Sequence, residues 1–230
     1  MPSRINYQTI IAKYKALGKG NVRLTQSSLF LTKDINSQVT TYNFDVLETQ
    51  TQTLQNDEIR LNINDEFIIT TLGMYLVAET TYTNAETGEV KKGTKLLTYA
   101  PYENKGTVVS LQNFYAGALQ ISVNNIVYLD KYDVRKHEFL PRTQFANFIT
   151  PNQATLPSND YSKNAMFPME PLLTLSGAKK NNITLTIPES ISAQSWELIC
   201  DNGDKVLTDV TRVGVLMRGL NAQNGSVFQS

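Results

Sequence analysis

Apolar and polar positions alternate along most of this chain, and the period of alternation changes once, near residue 20. From Tyr7 to Leu17 the apolar residues Tyr7, Ile10, Ile11, Tyr14 and Leu17 recur three and four apart, the spacing of one helical face. Ser3 or Asn6 can cap the start, and Gly18 with Gly20 can end it. A helix of about four turns is marginal alone and has to dock on something. Beyond Gly20 the period drops to two. Tyr42, Phe44 and Val46 fall on one face of a strand, with Thr41, Asn43 and Asp45 on the other. Ile59, Leu61 and Ile63 repeat the pattern and predict another strand. Further strands are predicted at 22–31, 66–71, 74–83, 89–99, 117–123, 126–132, 171–176, 182–187, 195–200, 205–211 and 213–218.

Turn chemistry separates these runs. Asn124-Asn125 sits between two β-rich stretches, and Asn tolerates the positive φ of a primed hairpin turn. Asn84–Gly88, Asp201–Asp204 and Ser176–Asn181 predict three more hairpins. The fold class expected is all-β: an antiparallel β-sandwich of jelly-roll type, residues 22–230, behind an N-terminal helical arm, residues 1–21. About 13 strands are too few for a double jelly roll of about 16, so a single one with additions is expected. Pro141–Pro171 breaks the pattern, with five prolines and the aromatics Phe145, Phe148, Tyr161 and Phe167. An excursion of about 30 residues that is not aromatic-poor is expected to wrap over something. Its own domain and a neighbouring subunit are the two choices, and these four side chains are the candidate subunit contacts.

Charge changes the picture at one end. The chain is neutral overall, with 21 basic and 21 acidic side chains. Residues 1–33 nevertheless hold six cations and no acid, among them Arg4, Lys13, Lys15, Lys19 and Arg23. Such an arm can neutralise phosphate backbones without sequence preference, which makes these five the candidate nucleic-acid-facing residues. Thr, Asn, Ser and Gln make up 73 of the 230 residues. No apolar run approaches a membrane span and no secretory h-region is visible.

Candidate chemistry is sparse. One Cys and one His exclude an internal disulfide and any histidine-cluster metal site. His137 lies among charged neighbours and reads as a surface histidine, with no Gly-x-Ser-x-Gly elbow to partner it. Cys200 reads as an inert core residue, because Asp201 beside it opposes a thiolate. Asp57-Glu58 and Asp65-Glu66 could do paired-carboxylate work but read as solvated turns. Asp201-Asn202-Gly203-Asp204 lacks the ligand spacing of a calcium loop. No enzyme and no cofactor are expected.

A basic N-terminal helix, a Thr- and Asn-rich antiparallel β body and a long aromatic excursion together resemble the jelly-roll capsid proteins of viruses, particularly tailless bacteriophages. The resemblance implies a self-assembling virion subunit, assembled in the host cytoplasm, that contacts copies of itself, other virion proteins and packaged nucleic acid. An auxiliary head, connector or tail β-sandwich protein is the nearest alternative. A carbohydrate-binding β-sandwich using exposed Tyr or Trp196 is the second.

Overall fold

The computed structural model describes residues 7–17, 22–48, 57–100, 111–139, 165–200 and 202–226. One helix, α1 (Tyr7–Ala16), precedes an antiparallel β-sandwich. Its strands are β1 (Arg23–Asp34), β2 (Thr41–Phe44), β3 (Glu66–Thr83), β4 (Val90–Leu97), β5 (Ala118–Val123), β6 (Ile126–Asp133), β7 (Phe167–Ser176), β8 (Asn181–Thr186), β9 (Gln194–Ile199) and β10 (Lys205–Gln223). A short helix α2 (Gln112–Tyr115) precedes β5, and a 3-10 turn, Val134–His137, follows β6.

The first sheet runs β1-β10-β3, with β7 on one stretch of the free edge of β3 and β4 on another. The second runs β2-β8-β5-β6. The two inner faces form one core. Leu29, Leu31, Phe67, Ile69, Leu72, Met74, Leu76, Val213, Val215 and Met217 come from one sheet and Tyr42, Phe44, Leu119, Ile121, Val123, Ile183 and Leu185 from the other. Each such side chain contributes roughly 1.5–3 kcal/mol on burial, so the alternation that marked the strands also holds the layers together.

Four expectations need correction. The pairs 66–71 with 74–83 and 205–211 with 213–218 are not four strands but two, β3 and β10. A bulge lies at Thr70 in β3 and at Thr211 in β10, where the register shifts. The inward set flips there from Phe67 and Ile69 to Leu72, Met74 and Leu76, and from Val210 to Val213 and Val215. An extra residue reverses the parity of everything after it, which reads from sequence as a break. Gly219 makes one of these crossings possible, because a Cβ there would fall on the Ile68 carbonyl oxygen.

Ile59–Ile63 is not a strand either. Ile59 bridges Phe30 and Leu61 bridges Leu47, so the segment stitches the edge of β1 to the chain that follows β2. Of its three apolar residues only Leu61 is buried; Ile59 and Ile63 are exposed. Ser176–Asn181 is a corner rather than a hairpin, since β7 pairs with β3 in one sheet and β8 lies between β2 and β5 in the other. The Asn181 amide closes that corner by donating to Ser176 O at 2.8 Å and accepting from Ser176 N at 3.3 Å. The excursion ends sooner than expected: Phe167, Pro168 and Pro171 belong to β7. A strand bonded on one side tolerates proline because its other edge needs no donor. By contrast, Asn124 and Asn125 have φ of 49° and 65°, the primed turn expected between β5 and β6.

Candidate functional site

The basic helix lies on the outer face of the first sheet. Tyr14 is buried against Ile68, Leu220 and Ala222, with Ile10, Val22 and Leu24 around it. Its phenol donates to Glu66 Oε2 at 2.8 Å, and burial, this bond and the Glu66 charge all push the Tyr14 pKa up. Ile11 and Leu17, expected to pin the helix, are exposed instead, so the docking stripe is narrower than its apolar spacing. Lys13, Lys15 and Arg23 are exposed. Arg4 and Lys19 lie outside the described residues, as do Phe145, Phe148 and Tyr161. Phe167 is half-buried, edge-on to the ring of His137 at 5.2 Å.

The stitch across the sandwich edge carries charge that the sequence reading placed in water. The Glu58 side chain is 3% exposed and that of Arg60 6%, and they pair at 2.9 Å. Thr32 donates to Glu58 Oε1 through both its N–H (2.9 Å) and its hydroxyl (2.8 Å). Beside them Arg212, 4% exposed, grips Asp57 with two bonds of 2.8 and 3.1 Å and reaches Glu79 at 3.3 Å. Burial alone lowers the Arg212 pKa, but the bond and charge of Asp57, then the charge of Glu79, raise it above its ordinary value. These carboxylates are therefore anchors, not a solvated turn and not a pair poised over a substrate. Asp65 and Glu66 are likewise held, Asp65 by the Asn221 amide at 2.9 Å and the Asn224 N–H at 2.9 Å. A lone arginine between Val210 and Val213 was the available sequence signal.

His137 is the sharpest correction: it is fully buried. The 3-10 turn folds its ring inward against Tyr132 and Phe167, while the charged neighbours Arg135 and Lys136 stay outside. Nδ1 lies 2.6 Å from Ala165 O, so Nδ1 carries the proton, because a carbonyl only accepts. Nε2 has no hydrogen-bond partner among the described residues. Cys200 is also misplaced by sequence: it is half-exposed in the turn between β9 and β10, not in the core. Trp196 on β9 is half-buried against the core.

The turn that carries Asn202 and Asp204 is a clip. Asp204 accepts from the Tyr82 phenol (2.5 Å), the Ala85 N–H (2.8 Å) and the Asn202 amide (2.6 Å), tying the β9–β10 tip to the β3–β4 tip. The Tyr82 bond, then the Ala85 N–H, holds the Asp204 pKa below its ordinary value. With its oxygens committed to donors, this carboxylate is a poor cation ligand. No group of three or more His, Cys, Asp or Glu side chains suited to a metal occurs among the described residues.

Several surfaces of the described residues remain open. The tip of β6 presents Ile126, Val127 and Tyr128 to solvent, each about half exposed. On the second sheet a groove of ≈ 450 Å³ is lined by Asn43, Asp45, Gln120, Asn182, Thr184 and Lys180 among others. Among the described residues no helix is long and apolar enough to cross a membrane. No family model, curated protein or solved structure matches the chain.

Proposed function

We propose that this chain is a virion structural protein, a jelly-roll subunit that assembles with copies of itself into a bacteriophage capsid. The strand order carries the proposal. Setting β4 and β9 aside as additions, the eight remaining strands in chain order form one sheet of first, eighth, third and sixth and another of second, seventh, fourth and fifth. That is the interleaving two nested Greek keys produce, and it suits viral capsid proteins, lectins and cupins. A cupin-type interior site fits poorly, because apolar side chains fill the space between the sheets and the one histidine is enclosed. A surface role is left. The basic helix docked on one sheet, with Lys13, Lys15 and Arg23 outward, supports a nucleic-acid-facing side. An auxiliary head, connector or tail protein would share these features.

A test replaces Arg4, Lys13, Lys15, Lys19 and Arg23 by Gln in assembled particles. Retention of packaged nucleic acid is expected to fall, and wild-type binding is expected to weaken with salt at about 0.7–0.9 logarithmic units per phosphate neutralised. Unchanged packaging would remove the nucleic-acid role. The groove on the second sheet favours a second reading, a carbohydrate-binding module, since its amides and hydroxyls suit sugar hydroxyls. Glycan binding lost on changing Asn43 and Gln120 to Ala would select it.

A further inference from the structure

Ala165, Phe167 and the 3-10 turn after β6 meet at one side chain. The His137 ring is enclosed by Tyr132, 5.5 Å away between centroids, and Phe167, 5.2 Å away and edge-on. Its Nδ1–H is spent on Ala165 O. Among the described residues its Nε2 is buried without a partner, a tolerable state for a bare lone pair but a costly one for an N–H. From this geometry we propose that His137 is a pH-sensitive latch: neutral, it fastens the first residues of β7 to the turn; protonated, it lets them go.

Among the described residues the charged and titratable groups on the surrounding elements offer no rescue to an imidazolium. In its own turn, Arg135 is paired with Asp133 of β6 at 3.6 Å, and Lys136 lies over the Tyr132 ring at 5.1 Å, adding positive charge nearby. Glu138 and, on β7, Glu170 are exposed. Tyr132 on β6, Tyr115 on α2 and Tyr75 on β3 stay neutral, since burial raises each of their pKa values. Burial lowers the His137 pKa first, the Ala165 bond raises it in part, and Lys136 lowers it again, for a net shift below the ordinary value. The unfolded or released state then binds the proton better. The latch is therefore fully effective above the ordinary histidine value of about 6.5 and is lost as pH falls from there through the folded-state value. Because the chain has one histidine, no other histidine contributes in this window.

The released piece is short. Phe167 and Pro168 pair with Leu72 and Thr71 of β3, and the pairing resumes at Leu173 after a register shift. Opening of the first part need not unzip Leu173–Ser176.

The test is amide hydrogen exchange of the full chain between pH 8 and 5, corrected for intrinsic rates, alongside an NMR titration of the His137 imidazole. Exchange at Phe167 and Met169 is expected to rise by up to tenfold per pH unit below about 6.5, with β8 amides unchanged and the imidazole midpoint below the ordinary value. His137→Phe, which keeps an aromatic ring without the proton, should abolish this pH response. An imidazole titrating at or above 6.5, opening that ignores pH, or the same response in His137→Phe would overturn the latch. Should that variant not fold, the two wild-type measurements decide by themselves.

Discussion

The phenol of Tyr14 donates to the carboxylate of Glu66 at 2.8 Å, joining a short basic helix to the first residue of a strand 52 positions away. A ten-residue helix has little intrinsic stability, so this bond and the apolar contacts of Tyr14 and Ile10 account for its position. Tyr14→Phe keeps the ring and removes the bond. Helix docking should weaken by about 1.5–3 kcal/mol, the usual value of a hydrogen bond to a charged group. Faster exchange at residues 7–17 with an unchanged β-sheet circular dichroism signal would report it.

The buried charges at the sandwich edge should be sensitive to single changes and tolerant of paired ones. Glu58→Met leaves Arg60 and two Thr32 donors in a nearly dry site, and a loss of about 3–5 kcal/mol is expected by urea unfolding. Glu58→Met with Arg60→Met should cost clearly less than the sum of the single changes. Additive losses would mean the pair contributes no coupling.

Asp204 predicts an acid limit. Its pKa is depressed in the folded state, by the Tyr82 phenol first and the Ala85 N–H next. Its contribution is present above the ordinary aspartate value and disappears as pH falls through the lower folded value. Asp204→Asn should therefore be less stable than wild type at pH 7, and the gap should close in strong acid. Chemical denaturation at several pH values measures it.

At the β5–β6 turn both Asn124 and Asn125 have positive φ. Asn125→Ala should cost about 1–2 kcal/mol, while Asn125→Gly should be neutral or stabilising in a thermal melt.

Much of this architecture was legible because burial on one face enforces a period of two. Tyr42, Phe44 and Val46 are all buried as their spacing required, and the Asn-Asn pair named its own turn. What escaped was everything decided by a third party. The bulges at Thr70 and Thr211 are invisible as bulges, since a parity flip and a strand break look alike in sequence. Whether the corner at Ser176–Asn181 stays in its sheet depends on which partner each strand finds, and that is a long-range choice. Glu58 and His137 read as solvated because charge in the sequence neighbourhood says nothing about which way a turn folds. The candidate arm was legible as a stripe, but its width was not: Ile11 and Leu17 continue the spacing and miss the sheet.

Self-assembly is the central claim, and the oligomeric state of the purified full chain in solution tests it most directly. Native mass spectrometry with electron microscopy of the same sample should find discrete multiples of the 25.8 kDa chain, closed as symmetric rings or shells with α1 facing inward. A single 25.8 kDa species across the micromolar range, with no larger closed form under any salt condition, would contradict it.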